Sequence, residues 1–242
     1  MVHGLGVLAD DAYLRDVQAI VDHVGTKPGV YVLVSLWNDD TFTSLGWATP
    51  STLDEWRKLA SALKDRPQVL FGIVNEPQSN FDGARDADVW RTMNDAVAAI
   101  RAVEDAAGTP HHVISVQGTR AWARRLDYYV GHPITAGGGD NIAYETHVYD
   151  PPAMFGELFE TPARSLPVLI GEFGPSGMTE ADTTTLMERA EAIGVPYLAW
   201  TFHMRCPPNL LVDNSGNGCG IDMALAPTSW GMRLRARLLT PW

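Results

Sequence analysis

Basic charge is what this sequence has least of. Eighteen Lys and Arg stand against 29 Asp and Glu, a formal net charge of -11, and the basic residues form no dense run. A nucleic-acid partner needs a basic face, so that class is excluded, whereas a neutral substrate tolerates the balance. No run of eighteen apolar residues occurs, so no segment reads as membrane-spanning. The opening MVHGLGVLADDAY lacks the basic stretch and apolar core of a signal peptide. Cysteine is scarce: Cys206 and Cys219 share one Pro-, Asn- and Gly-rich loop and are expected to close a short disulfide ring. That pairing points to a secreted, extracellular protein; two free thiols in a cytosolic enzyme are the alternative. His3, His23, His111, His112 and His132 show no metal-ligand spacing with acids or cysteines, so neither a metal nor another cofactor is expected. There is no low-complexity segment and no break in composition, which predicts one domain over residues 1–242.

What is present is a 45% apolar composition arranged in a repeating order. Apolar runs of strand length begin at Val30, Val69, His111, Ile142, Pro167 and Val195. Amphipathic stretches separate them, at Leu53 to Lys64, Asp86 to Ala107, Trp122 to Tyr129 and Glu180 to Ile193, with one more from Trp230 to Leu239. Strand then helix, repeated, predicts an α/β fold of the (β/α)8 TIM-barrel type. About six strand-helix units fit, two fewer than a complete barrel, and the helical pattern from Asp11 to Val24 reads as the helix following a second strand. The barrel is therefore expected to be incomplete, as a piece of a longer protein or as a natural partial barrel. The strand from Val30 to Trp37 would lack a preceding neighbour and that from Val195 to Phe202 a following one. Homo-oligomerisation is the expected cover for these edges, with the segment from Met1 to Asp11 as the alternative.

Two of the strands run into a glutamate, in Asn75-Glu76-Pro77 and in Glu172-Phe173-Gly174. Ionised carboxylates are seldom buried without purpose. The carboxyl ends of barrel strands form the active-site face, so both glutamates are predicted at one mouth. Hydrolysis of a glycosidic bond needs one carboxylic acid to protonate the leaving oxygen and one carboxylate opposite it. The pair supplies both. Eight Trp and seven Tyr offer surfaces for stacking on sugar rings.

The order and wording of these strands resemble glycoside hydrolase family five, the cellulase family of the retaining barrel clan, from about Asp11 onward. The resemblance implies Glu76 as general acid/base, Glu172 as nucleophile and Asn75 as the amide that bonds the sugar 2-hydroxyl. It implies that His147 and Tyr149 line the subsite of the cleaved sugar, the Tyr hydroxyl holding the nucleophile, and that Trp200 is the aromatic platform below that sugar. Trp37 stands where the family usually has a His, and the family's second-strand Arg has no counterpart. Trp47, Gln117 and His203 lie near the same mouth by position and are further candidates for sugar contact. The function so implied is a retaining endo-β-glycosidase acting on β-1,4-glucan through a glycosyl-enzyme. A β-mannanase, a β-1,3-glucanase or a carbohydrate-binding protein impaired in turnover are the alternatives.

Overall fold

The structure, a computed structural model, describes residues 1–37, 43–78, 80–213 and 225–240. The elements of its first half are α1 (Gly4–Ala9), α2 (Asp11–Gly25), β1 (Val32–Ser35), α3 (Pro50–Leu63), β2 (Val69–Gly72), α4 (Asp86–Ala107), β3 (Ile114–Gln117) and α5 (Asp127–Gly131). There follow β4 (Ile142–Val148), β5 (Val168–Phe173), α6 (Glu180–Ala192), β6 (Tyr197–Ala199) and α7 (Ser229–Leu238). The strand order is β1-β2-β3-β4-β5-β6. Parallel strands alternating with helices are the pattern of a (β/α)8 barrel, with six of its eight strands among the described residues. Each strand lies inside one of the apolar runs read from the sequence. The chain divides into two compact units, Met1–Glu145 and Thr146–Trp242, with the boundary inside β4.

In the first unit the strands pair in parallel register, Val32 with Val69, Phe71 with Ile114 and Gln117 with Glu145. α3 starts where Thr49 and Thr52 form a reciprocal capping box and Pro50 supplies a preset φ. Its buried face carries Trp56, Leu59, Ala60 and Leu63 at helical spacing. Trp56 is fully buried, and its indole N–H donates to the Ile73 carbonyl at 2.9 Å, tying the helix to the end of β2. α4 ends at Gly108, whose φ of 65° is the left-handed conformation glycine adopts most readily. Near that end the fully buried Glu104 accepts from Arg101 Nη1 at 2.6 Å and from the His112 backbone N–H at 2.9 Å, and meets His112 Nδ1 at 2.7 Å. Burial pushes this carboxyl up, but the bonds from His112 and Arg101 outweigh it and hold it below its ordinary value. The sequence leaves β1 without a preceding strand; in the structure Val2 makes a parallel bridge to Leu36, with Val2 N–H donating to Ser35 and Trp37 N–H donating to Val2.

In the second unit β5 and β6 are parallel, with a register irregularity between Ile170 and Phe173. The fully buried Phe173 meets Tyr197 and Trp230 edge-on, each with ring centroids 5.4 Å apart. Thr179 and Asp182 cap α6 reciprocally, and Thr228 caps α7. Cys206 is exposed, while Cys219, and with it the expected Cys206–Cys219 pairing, lies outside the described residues. Among the described residues no helix is long and apolar enough to cross a membrane.

Candidate active site

The first unit carries Asn75 and Glu76 just beyond the carboxyl end of β2, both half-buried. Glu76 has φ of 52°, a left-handed conformation that costs a non-glycine residue about 1–2 kcal/mol. Such strain persists only where the surroundings over-determine it. Here the Glu76 backbone N–H donates to the side-chain oxygen of Gln117, the last residue of β3. Pro77 follows, buried, and its carbonyl accepts from Trp122 N–H at 3.2 Å, so the loops after β2 and β3 are stitched together on either side of the glutamate. The amide nitrogen of Gln117 donates to Asn75 Oδ1 at 3.3 Å and to Glu145 Oε1 at 3.0 Å. Glu145 Oε2 in turn accepts from Ser115 Oγ at 2.5 Å.

The second unit carries His147 on β4, Tyr149 immediately after it, and Glu172 near the end of β5. Tyr149 Oη donates to Glu172 Oε2 at 2.9 Å, and His147 Nδ1 lies 3.6 Å from the same oxygen. His147 is only 1% exposed, so its ring is fixed by packing, whereas the Glu172 side chain retains 13% exposure. A carboxylate with one oxygen held and some access to solvent is suited to attack or to charge stabilisation. Trp200 follows β6 half-buried; its N–H donates to the Phe173 carbonyl at 2.9 Å and its carbonyl accepts from Trp230 Nε1 at 3.0 Å. The loop after β5 is tightly fitted around these residues. A Cβ on Gly177 would come within 2.1 Å of the Tyr149 carbonyl oxygen, and one on Gly174 within 3.0 Å of that of Trp200.

The structure thus brings His147, Tyr149 and Glu172 together, and joins Asn75 and Glu76 through Gln117. Trp37 is 49% exposed at the end of β1. Trp47, a candidate for sugar contact by position, is 5% exposed: its indole N–H donates to the Gln78 carbonyl and the Arg85 guanidinium covers its ring at 4.2 Å. Gln117 is 1% exposed and serves beneath Asn75 and Glu76. His203 is half-buried in the loop after β6, where its Nδ1 accepts from Arg205 N–H at 2.9 Å. Glu145 and Ser115 are the supporting residues that sequence reasoning passes over. The available signal was an acid inside the apolar run IAYETHVY, two residues before His147 and so on the same strand face.

A family model described as cellulase, glycosyl hydrolase family 5, matches residues 2–205. No curated protein matches the chain. Among solved structures it is similar to the catalytic domain of an endoglucanase from Thermobifida fusca, at 16% identity over 97% of this chain and 77% of that one, with a TM-score of 0.73. A β-glucanase from Saccharophagus degradans aligns at 18% identity over 96% of this chain and 74% of its own, TM-score 0.71. The catalytic domain of a mannanase from Streptomyces sp. SirexAA-E aligns at 23% identity over 91% of this chain and 69% of its own, TM-score 0.67. Likeness at these identities concerns the fold; membership rests on the family match, which spans the strands bearing both glutamates. This chain therefore belongs to glycosyl hydrolase family 5, the cellulase family, and is a glycoside hydrolase built on six parallel strands of the TIM-barrel type.

Proposed function

We propose that this glycoside hydrolase is a retaining endo-β-glycosidase that cleaves β-1,4-glucan through a covalent glycosyl-enzyme. In the first step Glu172 attacks the anomeric carbon as its carboxylate while Glu76 gives its proton to the leaving glycosidic oxygen. The bond from that carbon to the leaving sugar breaks as the bond to Glu172 forms. In the second step Glu76 takes a proton from water, the water oxygen attacks the same carbon, and Glu172 is released. Two inversions give net retention. Asn75 bonds the 2-hydroxyl of the reacting sugar, His147 and Tyr149 line its subsite, and Trp200 and Trp37 offer aromatic surface to the glycan. The observation that carries this reading is the 2.9 Å bond from the Tyr149 hydroxyl to Glu172 Oε2, which orients the carboxylate for attack.

The preference for β-1,4-glucan is supported by similar structures: the Thermobifida endoglucanase and the Saccharophagus β-glucanase are both described in complex with cellotetraose. A polymeric substrate of this kind places the enzyme outside the cell. The test is release of reducing ends from soluble cellulose derivative, mannan and laminarin, with the anomer of the first product followed by NMR. The expected result is hydrolysis of the cellulose derivative with a β-configured first product. Glu76→Gln and Glu172→Gln should each lower activity by several orders of magnitude in a folded protein. Wild-type turnover in either variant would overturn the roles. An α-configured product would overturn retention, and faster release from mannan or laminarin would overturn the substrate.

A further inference from the structure

The amide of Gln117 can sit in two orientations that exchange its oxygen and nitrogen, and only the neighbours decide between them. Three of its described neighbours, all in the first unit, bear on it. The Glu76 backbone N–H is a donor and requires the oxygen. Asn75 Oδ1, at 3.3 Å, and Glu145 Oε1, at 3.0 Å, are acceptors and require the nitrogen. Of these, Asn75 is itself an amide able to turn over, so it cannot fix the choice. The Glu76 N–H and Glu145 can: the first is a donor that cannot turn over, and the second, as a carboxylate, offers acceptors only and so holds the nitrogen end from below. Glu145 is 4% exposed, lies opposite Gln117 in the β3–β4 register, and is steadied by Ser115, which is fully buried.

We propose that Glu145 is a positioning residue for the hydrolytic reaction: acting through Gln117, it fixes which end of Asn75 is presented to the sugar and holds the left-handed backbone of Glu76. With Gln117 oriented by Glu145, the Asn75 oxygen is engaged and its amide nitrogen remains to donate to a sugar hydroxyl. The same orientation gives the Glu76 N–H its acceptor at φ of 52°. If Gln117 turned over, a donor would face the Glu76 N–H, and Asn75 would have to present its oxygen instead. Glu145 touches no substrate in this scheme. The inference rests on the roles proposed above for Asn75 and Glu76.

The test compares kcat and KM on an aryl β-cellobioside and on its analogue lacking the 2-hydroxyl of the reacting sugar. Glu145→Gln replaces a group that only accepts with one that can also donate, at the same size. It should lower kcat on the parent substrate roughly 10–100-fold, with KM changed less than about threefold, as for an interaction expressed in the transition state. It should lower kcat on the 2-deoxy analogue less, so that the preference for the hydroxyl shrinks. Combined with Asn75→Ala, it should bring little further loss in that preference, because both changes break one relay. Ser115→Ala, which removes a single bond to Glu145, should shift the same ratio part of the way and serves if Glu145→Gln does not fold. A folded Glu145→Gln or Ser115→Ala enzyme that keeps the wild-type hydroxyl preference overturns the proposal. If Asn75→Ala alone leaves that preference intact, the assigned role of Asn75 has failed, a different outcome from failure of the relay.

Discussion

Replacing Tyr149 by Phe removes one hydroxyl from a half-buried ring and leaves its packing in place. The lost bond is the 2.9 Å donation to Glu172 Oε2, a hydrogen bond to a charged acceptor. Such bonds contribute about 1.5–3 kcal/mol. At 1.36 kcal/mol per decade, full expression in the glycosylation transition state corresponds to roughly a 10–150-fold loss in kcat/KM. Part of that loss is offset, because a carboxylate relieved of a donor is the stronger nucleophile. What is not offset is orientation: His147 Nδ1, at 3.6 Å, is too far to hold the oxygen as the phenol does. We therefore expect a loss of about 10–50-fold, concentrated in the first step. The assay is the pre-steady-state burst on an activated aryl β-cellobioside, together with the rate of covalent labelling by a 2-deoxy-2-fluoro glycoside. Both should slow in parallel while the melting temperature stays within a few degrees. A Tyr149→Phe enzyme within threefold of wild type in both rates would mean that the phenol does not position the nucleophile.

Two further perturbations follow from the packing. Gly177→Ala would place its Cβ 2.1 Å from the Tyr149 carbonyl oxygen, so the backbone must shift; overpacking of this kind costs about 1–3 kcal/mol, and calorimetry should show a lower melting temperature together with reduced kcat. Glu104 makes a signed prediction about acid: because its carboxyl is held below 4.5, its stabilisation is fully present above that pH and is lost as pH falls through the lower folded value. Glu104→Gln should melt lower at neutral pH, since breaking a buried charge pair costs about 3–5 kcal/mol. Its melting temperature should fall less steeply than wild type as pH drops below 4.5, and parallel curves for the two proteins would refute the linkage.

The strands and long helices were legible because their signals are local. Asp86–Ala107 is a helix over the span its periodicity gives, with Gly108 as a stop the sequence announces. α1 was not legible: Gly4-Leu5-Gly6 has poor helix propensity, and the segment is helical where it packs on α3. The stretch from Trp122 to Tyr129 has helical spacing, yet Trp122 and Ala123 take φ of 64° and 56°, so that α-helix is confined to Asp127–Gly131 after a 3-10 turn at Ala121–Ala123. The cause is tertiary, since Gly118 sits against the carbonyls of Ala123 and Arg125 so closely that a Cβ there would come within 2.7 Å of both. At the site, the two glutamates were visible as charges at the ends of apolar runs. Their supports were not, because a glutamine read as a mouth residue and an acid inside a strand acquire meaning only through the pairing of β3 with β4.

That dependence gives β4 a particular weight. Each glutamate draws the support described above from its own unit, Glu76 from Gln117 and Glu172 from Tyr149 and His147. Yet the groups behind both supports lie on or beside one strand: Glu145 and His147 are two residues apart in β4 and so share a face, and Tyr149 follows the strand's last residue. A slip of one residue in β4 would turn Glu145 and His147 away together, since strand register moves every side chain of the strand to the opposite face. The register is set by the pairing of Ile142 with Ile114 and of Glu145 with Gln117, and by the burial of Ile142, Tyr144 and Val148 along the strand. Apolar packing of β4 therefore acts on the chemistry of both carboxylates without any of those apolar groups approaching the substrate.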